Sequence, residues 1–203
     1  VFEPWRLGGN LGLKKLLVKD EGRNPTASFK DRASAVVVAR AREINAGVVV
    51  TASTGNAGAA LAGMAAAIDQ KAVIFAPKTA PPAKIAQLLI YGADVILVDG
   101  NYDSAFDLTI EAAHEFGWYC RNTGLNPFTA EGKKTAAFEI WENVLLPNKN
   151  LHRPLCIFVP VGDGNIISGI HKGFKDLLEL GWIDSIPSIF GVQAEGSAAI
   201  ANA

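Results

Sequence analysis

Short apolar runs alternate with longer amphipathic runs along nearly the whole chain. The short runs predict strands, and the longer amphipathic runs predict helices. The predicted strands lie at residues 16–19, 48–51, 72–76, 95–98, 118–120, 155–161 and 189–194. The predicted helices lie at residues 31–45, 57–68, 82–91, 103–116, 132–145 and 167–180. A polar loop at residues 146–154 is a candidate boundary.

This alternation predicts an α/β fold. Strands that are apolar at nearly every position are typical of parallel sheets, which are buried on both faces. We therefore expect three layers, with helices on both faces of parallel sheets. Ligands in such folds bind at the carboxyl ends of the strands, so we expect the functional residues where each strand passes into a helix.

The composition narrows the class of protein. The 203 residues are 49% apolar and 19% charged, which allows a buried core. The 19 basic and 20 acidic residues give a net charge of -1, which argues against a nucleic-acid interface and a polybasic membrane anchor. No apolar run reaches the roughly 20 residues of a membrane span. We expect a cytoplasmic protein with neither nucleic-acid nor membrane partners.

The two cysteines do not predict a metal or redox site. Cys120 and Cys156 are far apart and each lies in an apolar, strand-like run, which predicts buried structural thiols. No C-x-x-C motif or other metal-ligand spacing is present, so we expect no metal.

A lysine stands at the first junction of interest, residues 24–32 (NPTASFKDR). Pro25 disfavours helix at the residue before it, and Thr26 or Ser28 can cap the helix that follows. Lys30 then lies near a helix start, where the macrodipole disfavours an ammonium. Such a position suits a Schiff-base lysine, because only the neutral amine attacks a carbonyl. A solvated surface lysine beside an Asp31/Arg32 pair is the alternative.

The second junction, residues 51–58 (TASTGNAG), follows a predicted strand and opens an alanine-rich helix. Its backbone amides can form an anion-binding nest, and glycines allow a ligand to approach the backbone closely. Ser53 and Thr54, next to Gly55, add hydroxyl donors suited to a substrate carboxylate. Asn56 offers an amide for a phenolic or carbonyl oxygen. The alternative is a tight, capped turn into a helix packed on the sheet.

The third junction, residues 160–169 (PVGDGNIISG), is a glycine-rich turn into a helix and predicts a phosphate cradle. The glycines at 162, 164 and 169 break the spacing of the dinucleotide fingerprint. Glu195 could still bind a ribose, so a nucleotide-binding dehydrogenase stays an alternative. Together, the three junctions fit a phosphorylated aldehyde cofactor acting on an amino acid.

The same motifs carry a family resemblance that runs over essentially the whole chain. Residues 19–32 (KDEGRNPTASFKDR), 54–58 (TGNAG) and 159–165 (VPVGDGN) resemble the lysine, asparagine and phosphate motifs of fold-type II pyridoxal-phosphate enzymes, the tryptophan synthase beta-like group. They are most similar to the threonine synthase family. Residues 131–135 (EGKKT) and 191–196 (GVQAEG) match further family stretches.

The resemblance implies a role for each matching residue. Lys30 would hold pyridoxal 5′-phosphate as a Schiff base and shuttle protons, and Asn56 would hydrogen-bond the cofactor's 3′-oxygen. Ser53, Thr54 and Gly55 would dock the substrate carboxylate. The cofactor phosphate would be bound by a contiguous loop, namely Gly162, Asp163, Gly164, Asn165 and Ile166.

The resemblance also implies a layout and a reaction. Residues 1–33 and 127–203 would form a larger cofactor-binding domain and residues 34–126 a smaller α/β domain, with the cofactor in the cleft and a homodimer as the assembly. The expected reaction converts O-phospho-L-homoserine and water to L-threonine and phosphate. A threonine or serine dehydratase, another beta-replacement enzyme of the family and a truncated non-catalytic module are the alternatives.

The chain departs from the family pattern at several points. Ala27 and Ala33 stand where glycine is common, a mild change if both have φ below zero. Thr129 follows the Asn-Pro-Phe step of residues 126–128, where some members carry a phosphate-binding arginine. Nearby cations that would compensate are Arg121, Lys133 and Lys134.

The ends of the chain differ from the family as well. Residues 3–7 (EPWRL) stand in place of the family's Thr-Pro-Leu signature. Family members continue past residues 191–196, and their later part supplies a Ser or Thr for the pyridine nitrogen. We therefore expect the C-terminal part of the family fold to be missing.

Overall fold

The computed structural model describes residues 1–148 and 155–202. Its helices are α1 (Trp5–Asn10), α2 (Lys30–Glu43), α3 (Asn56–Ala66), α4 (Pro82–Ile90), α5 (Tyr102–Phe116), α6 (Pro127–Ile140) and α7 (Asn165–Glu179). Its strands are β1 (Val48–Ala52), β2 (Lys71–Pro77), β3 (Asp94–Val98), β4 (Tyr119–Cys120), β5 (Cys156–Pro160) and β6 (Ser188–Val192). A π-helical segment, Trp141–Leu145, continues α6.

The chain divides into two compact units. The central unit is Asn24–Lys133, and the flanking unit combines Val1–Arg23 with the described part of Lys134–Ala203. The central unit is longer at both ends than the domain 34–126 implied by the resemblance. It includes Lys30 and the loop before it. The exact domain layout stays a prediction.

The central unit contains a parallel four-stranded sheet in the order β3-β2-β1-β4. Successive residues of β1 enter different cores: Val49 packs in the cluster formed with α2, α3 and α4, and Val50 in the cluster formed with α5. Ile74 and Phe75 of β2 repeat this division. Because both faces are covered, β1 and β2 are apolar at nearly every position. The predicted three-layer parallel α/β arrangement is confirmed.

The flanking unit pairs β5 and β6 in parallel, with α7 packed against them. Gly191 of β6 faces α7, since a Cβ there would lie 3.4 Å from Ile167 Cδ1. The opposite side carries Phe158 and Phe190, which stack at 5.1 Å between ring centroids and are 69% and 46% exposed. This side of the two-stranded sheet is therefore apolar and exposed in the described part of the chain.

Two expectations were wrong. Residues 16–19 contribute only an antiparallel bridge between Val18 and Phe2, not a strand of the parallel sheet. The bridge stops there because Pro4 has no N–H to extend a ladder. Cys156 is exposed, not buried, because it lies at the start of β5 on the same side as Phe158. Of the candidate boundary loop, residues 149–154 lie outside the described residues.

Cys120 is partly buried, as expected for a structural thiol. Burial raises its pKa, against the lowering effects of a hydrogen bond to the Asn122 backbone and the Arg121 charge. A raised pKa keeps this sulfur as the weakly reactive thiol. We therefore do not place Cys120 among the nucleophiles.

A partly buried ion pair links α6 to α7 in the flanking unit and leads to a stability prediction. Lys134 Nζ lies 2.6 Å from Asp176 Oδ2, and Lys172 binds the other carboxylate oxygen. Burial would raise the pKa of Asp176, but hydrogen bonds and charge from the two lysines outweigh it and lower the pKa. We expect Asp176→Asn to reduce the free energy of unfolding by about 1 kcal/mol at pH 7.

The pH dependence of this loss follows from the direction of the shift. The folded pKa of Asp176 is below its unfolded value, so the stabilisation is fully present above about pH 4 and is lost as pH falls through the folded pKa. Urea unfolding of the wild type and of Asp176→Asn at pH 7 and pH 3 measures this loss. The control is Glu179→Gln, which removes an exposed ion pair with Lys175 and should change the free energy of unfolding little. An equal loss at both pH values would contradict the assignment.

Candidate active site

Lys30 is the first residue of α2 and is partly buried. The Ser28 hydroxyl accepts a hydrogen bond from the Lys30 amide at 3.3 Å, so Ser28 satisfies one of the amides left open at the helix start. The position of α2 is constrained by α6, because a Cβ on Gly132 would lie 2.1 Å from the Arg32 carbonyl oxygen. The predicted placement of Lys30 at a helix start is correct.

Asp31 latches the loop that precedes Lys30. Its carboxylate is buried and accepts hydrogen bonds from the Thr26 amide, at 2.7 Å, and from the Thr26 hydroxyl. The methyl group of Thr26 in turn fills the space beside Gly63 of α3, where a Cβ would lie 2.5 Å away. Sequence analysis had offered Thr26 as a helix cap and Asp31 only as a neighbour of Lys30. Both instead fix the loop, and only the fold brings them together.

Ala27 adopts a left-handed backbone conformation, with φ 59°. The condition for a mild replacement of glycine, φ below zero, therefore fails at Ala27. Ala33 satisfies the condition, because it lies inside α2 and has a negative φ. The Ala27 amide donates to the Asn24 carbonyl at 2.8 Å, and the Asn24 side chain donates to the Ser28 carbonyl at 3.0 Å. These bonds, with the Asp31 latch, hold an L-residue where glycine fits without strain.

Ala27→Gly is therefore expected to stabilise the chain by about 0.5–1 kcal/mol. Left-handed geometry costs an L-residue about 1–2 kcal/mol, part of which is offset by the greater freedom of glycine in the unfolded state. Urea unfolding measures the change. Ala39→Gly, on an exposed position of α2, is the matched control and should destabilise by about 0.5–1 kcal/mol. Two changes of the same sign would show that φ at Ala27 does not decide the effect.

The second candidate loop, Ser53 to Asn56, lies at the carboxyl end of β1. The strand order reverses between β1 and β4, and this switch point is where open parallel sheets bind ligands. Asn56 is exposed and begins α3, whose first-turn amides have no side-chain cap. Ser53 accepts a hydrogen bond from the Gly55 amide at 3.2 Å, which shapes the turn.

Gly58 serves this loop in a different way from the one predicted. A Cβ on Gly58 would lie 2.2 Å from the Ser53 carbonyl oxygen, so its missing side chain admits the loop itself and not a ligand. Gly55 has room, since its nearest contact would be Ser53 Oγ at 3.9 Å. The first turn of α3 and the Ser53 loop are thus packed as one piece.

Asn122, which sequence analysis did not select, lies two residues after β4 and anchors the same loop. Its side-chain oxygen accepts hydrogen bonds from the Ala52 amide and the Thr51 hydroxyl, both at 2.9 Å. Its position in the sequence could have identified it, because residues 121–124 (RNTG) follow a short apolar strand just as residues 53–56 do. Parallel pairing of β4 with β1 brings the two strand ends together.

The third candidate loop, residues 162–166, belongs to the flanking unit and joins β5 to α7. Gly164 has φ 82°, a conformation that favours glycine, and Asn165 is the first residue of α7. Asp163 accepts a hydrogen bond from the Asn165 amide at 3.0 Å. The amides of Ile166 and Ile167 lie in the first turn and have no intrahelical acceptor. A turn of this kind before a fifteen-residue helix suits a phosphate.

The residue at the position of the family's phosphate-binding arginine is fully engaged within the protein. Thr129 is buried, and its hydroxyl donates to the Asn126 carbonyl at 2.8 Å. Of the cations considered as substitutes, Arg121 and Lys133 are buried in the central unit, and Arg121 Nη1 donates to Thr123 at 2.9 Å. Lys134 is paired with Asp176 in the flanking unit.

The residues present fit pyridoxal phosphate. A partly buried lysine opens a helix, an amide side chain opens a second helix at the sheet's switch point, and a left-handed glycine precedes a third helix start. In residues 1–148 and 155–202, no group of three or more His, Cys, Asp or Glu side chains is placed to hold a metal ion. Within the same residues, no helix has the length and apolar character needed to cross a membrane.

The fold and these loops define a parallel α/β protein of the kind that binds a phosphorylated cofactor at its strand ends. Comparison with known proteins is more specific. The sequence pattern of the family described as "Pyridoxal-phosphate dependent enzyme" matches residues 3–203. The chain belongs to this family. The predicted cofactor class is thereby confirmed, and the nucleotide-binding alternative is not supported.

Curated relatives and solved structures agree with this placement. The chain is 44% identical over 194 residues to threonine synthase of Methanocaldococcus jannaschii, covering 95% of this chain and 46% of that protein. It is 42% identical over 200 residues to threonine synthase of Methanosarcina acetivorans, covering 98% and 48%. The solved structure of processed threonine deaminase isoform 2 from Solanum lycopersicum matches with a TM-score of 0.81 and 27% identity, covering 98% and 52%. The chain spans about half the length of the curated relatives it matches.

Proposed function

We propose that this chain binds pyridoxal phosphate through Lys30 and belongs to an enzyme that makes L-threonine from O-phospho-L-homoserine and water. The observation that carries the proposal is the construction of the Lys30 position. A buried Asp31 latch and a left-handed Ala27 hold the loop before Lys30, and Thr26 packs that loop on α3, the helix that begins at Asn56. The similarity to two threonine synthases supports the particular reaction.

Each candidate residue has a task in this proposal. The Lys30 amine would hold the cofactor at its aldehyde carbon and would move protons at the substrate carbons. Asn56 donates to the cofactor's 3′-oxygen. The loop 162–166 binds the cofactor phosphate, and Ser53, Thr54 and Gly55 orient the substrate carboxylate. The bound cofactor supplies the electron sink, and the protein supplies orientation and proton transfer.

Cofactor attachment can be tested directly. We expect the purified chain to gain a visible absorption band on addition of pyridoxal phosphate. Borohydride reduction followed by peptide mapping should then place the label on Lys30. Label on another lysine would contradict the assignment of Lys30, and a chain that takes up no cofactor would contradict the proposed binding. The assay is run on the 203-residue chain.

A dehydratase is the second candidate, and two observations favour it. The solved threonine deaminase shares the fold over 98% of this chain. Thr129 directs its hydroxyl to Asn126 and so does not replace a phosphate-binding arginine. The two reactions differ in product: a threonine synthase releases inorganic phosphate and threonine from O-phospho-L-homoserine, and a dehydratase releases a keto acid and ammonia from threonine or serine. Measuring both products on both substrates separates them.

The assembly and domain layout complete the proposal. We expect the larger domain to combine residues 1–33 and 127–203, the cofactor to lie in the cleft beside the domain 34–126, and two copies to form a homodimer. Closure of such a cleft would exclude water from the reacting atoms. Sedimentation of the cofactor-loaded protein measures the assembly.

A further inference from the structure

Thr26 contacts both helices that begin with a proposed cofactor contact in the central unit. Its amide and its hydroxyl donate to the carboxylate of Asp31, the residue that follows Lys30 in α2, and the amide lies 2.7 Å from Oδ2. Its methyl carbon, Cγ2, lies against α3 beside Gly63, where a Cβ would be only 2.5 Å away. Thr26 is therefore a spacer between the start of α2 and the side of α3.

Gly63 lies on the same face of α3 as Asn56. The two residues are seven positions apart, so they differ by about 20° around the helix axis and by about 10 Å along it. The helix continues without a break between them. A displacement of this face at Gly63 is therefore carried along the helix to Asn56. The distance at which Thr26 meets α3 then sets where Asn56 lies relative to Lys30.

The Thr26 methyl group cannot move aside freely. Rotation about the Cα–Cβ bond moves the methyl and the hydroxyl together, because both are attached to Cβ. Turning the methyl away from Gly63 would break the bond of the hydroxyl to Asp31, which is buried. The ring of Tyr91 also lies 3.8 Å from the same Cβ position. A side chain larger than hydrogen at position 63 must therefore push the Thr26 loop and α3 apart.

We propose that Thr26 and Gly63 are positioning residues of the cofactor site. Their contact sets the separation between the Lys30 amine and the Asn56 side chain, and so the fit of the cofactor's aldehyde and 3′-oxygen. This inference rests on the proposed function for the roles of Lys30 and Asn56. Thr26 acts through the loop that it holds, and Gly63 acts through the helix to which it belongs.

Gly63→Ala tests the spacing, because its new Cβ would meet Cγ2 of Thr26 at 2.5 Å. We expect the folded variant to bind pyridoxal phosphate at least about 10-fold more weakly, since a site is held to within about 0.5 Å of its working geometry. Titration of the visible band measures the affinity. The wavelength of the band should shift as well, because it reports the surroundings of the 3′-oxygen. A loss of stability alone would change neither quantity in a chain that stays folded.

Thr26→Ser supplies the rescue. It removes Cγ2 and keeps the hydroxyl that binds Asp31. Alone it leaves a gap beside Gly63 and should weaken cofactor binding about three- to tenfold. In the double variant, the alanine methyl at position 63 takes the space that Cγ2 vacated, so affinity should return to within about threefold of wild type, as expected for residues in direct contact. If Gly63→Ala alone does not fold, Thr26→Ser and the double variant still give this comparison.

Gly9→Ala is the matched control. Gly9 lies in α1, and a Cβ there would meet nothing within 4 Å, so cofactor affinity should stay at the wild-type value. The inference is overturned if folded Gly63→Ala keeps the wild-type affinity and band position, or if the double variant binds no better than the single variants.

Failure of this inference is distinguishable from failure of the proposed function. Cofactor label on Lys30 in the wild type, with unchanged binding in the variants, would retain the function and remove the positioning role of Thr26 and Gly63. A wild-type chain that carries no label on Lys30 would overturn the proposed function, and this inference with it.

Discussion

Replacing Lys30 by alanine is expected to abolish the visible band of bound pyridoxal phosphate and the label trapped by borohydride. No other group in the proposal attaches the aldehyde, so the loss should be complete and not partial. The substitution also removes the proposed proton carrier, and we expect turnover in the proposed reaction to fall by at least about 10³-fold, within the range for lost acid–base catalysis.

The control for this prediction is Lys78→Ala. Lys78 belongs to the same unit, is 55% exposed and pairs with Asp99 at 3.0 Å, so its loss should leave the label unchanged. Circular dichroism checks that Lys30→Ala still folds. A Lys30→Ala chain that folds and still carries reducible cofactor would contradict the assignment of Lys30 as the attachment residue.

Replacing Gly58 by alanine is expected to destabilise the central unit by about 1–3 kcal/mol, the usual range for overpacking. Alanine is better than glycine within a helix by about 1 kcal/mol, so helix propensity alone predicts the opposite sign. Sterics should win because the new Cβ would lie 2.2 Å from the Ser53 carbonyl oxygen, which belongs to the backbone. Relief requires moving the Ser53 loop, so ligand binding at that loop should weaken as well.

Gly55→Ala is the stability control, three residues earlier in the same motif. Gly55 has φ −96°, and a Cβ there would meet only Ser53 Oγ at 3.9 Å, so alanine fits sterically. Thermal or urea unfolding should separate the two variants clearly. If Gly58→Ala proves as stable as Gly55→Ala, the close packing of the α3 start against the Ser53 loop does not require glycine at position 58.

The sequence predicted the main elements of the central sheet well because their pattern follows from burial. Strands such as β1 and β2 are apolar at nearly every position, since each face contacts a different core. The strand predicted at residues 16–19 was wrong because apolar character alone does not provide a partner strand. The bridge between Val18 and Phe2 does not extend, since Pro4 has no N–H to donate. Cys156 was predicted to be buried but is exposed, because an apolar run does not reveal which of its residues a helix will cover.

The sequence by itself determined the parallel α/β class, the cofactor class and the three loops that lead into helices. These features are local: a strand, a turn and a helix start are written in consecutive residues, and motif spacing records them. Only the tertiary structure decided that Asp31 latches Thr26, that Gly58 admits the Ser53 carbonyl and that Asn122 reaches back to Ala52. The Asn122 contact joins residues 70 positions apart in the chain. Such contacts depend on which strands pair and how closely helices approach, and no consecutive pattern encodes either.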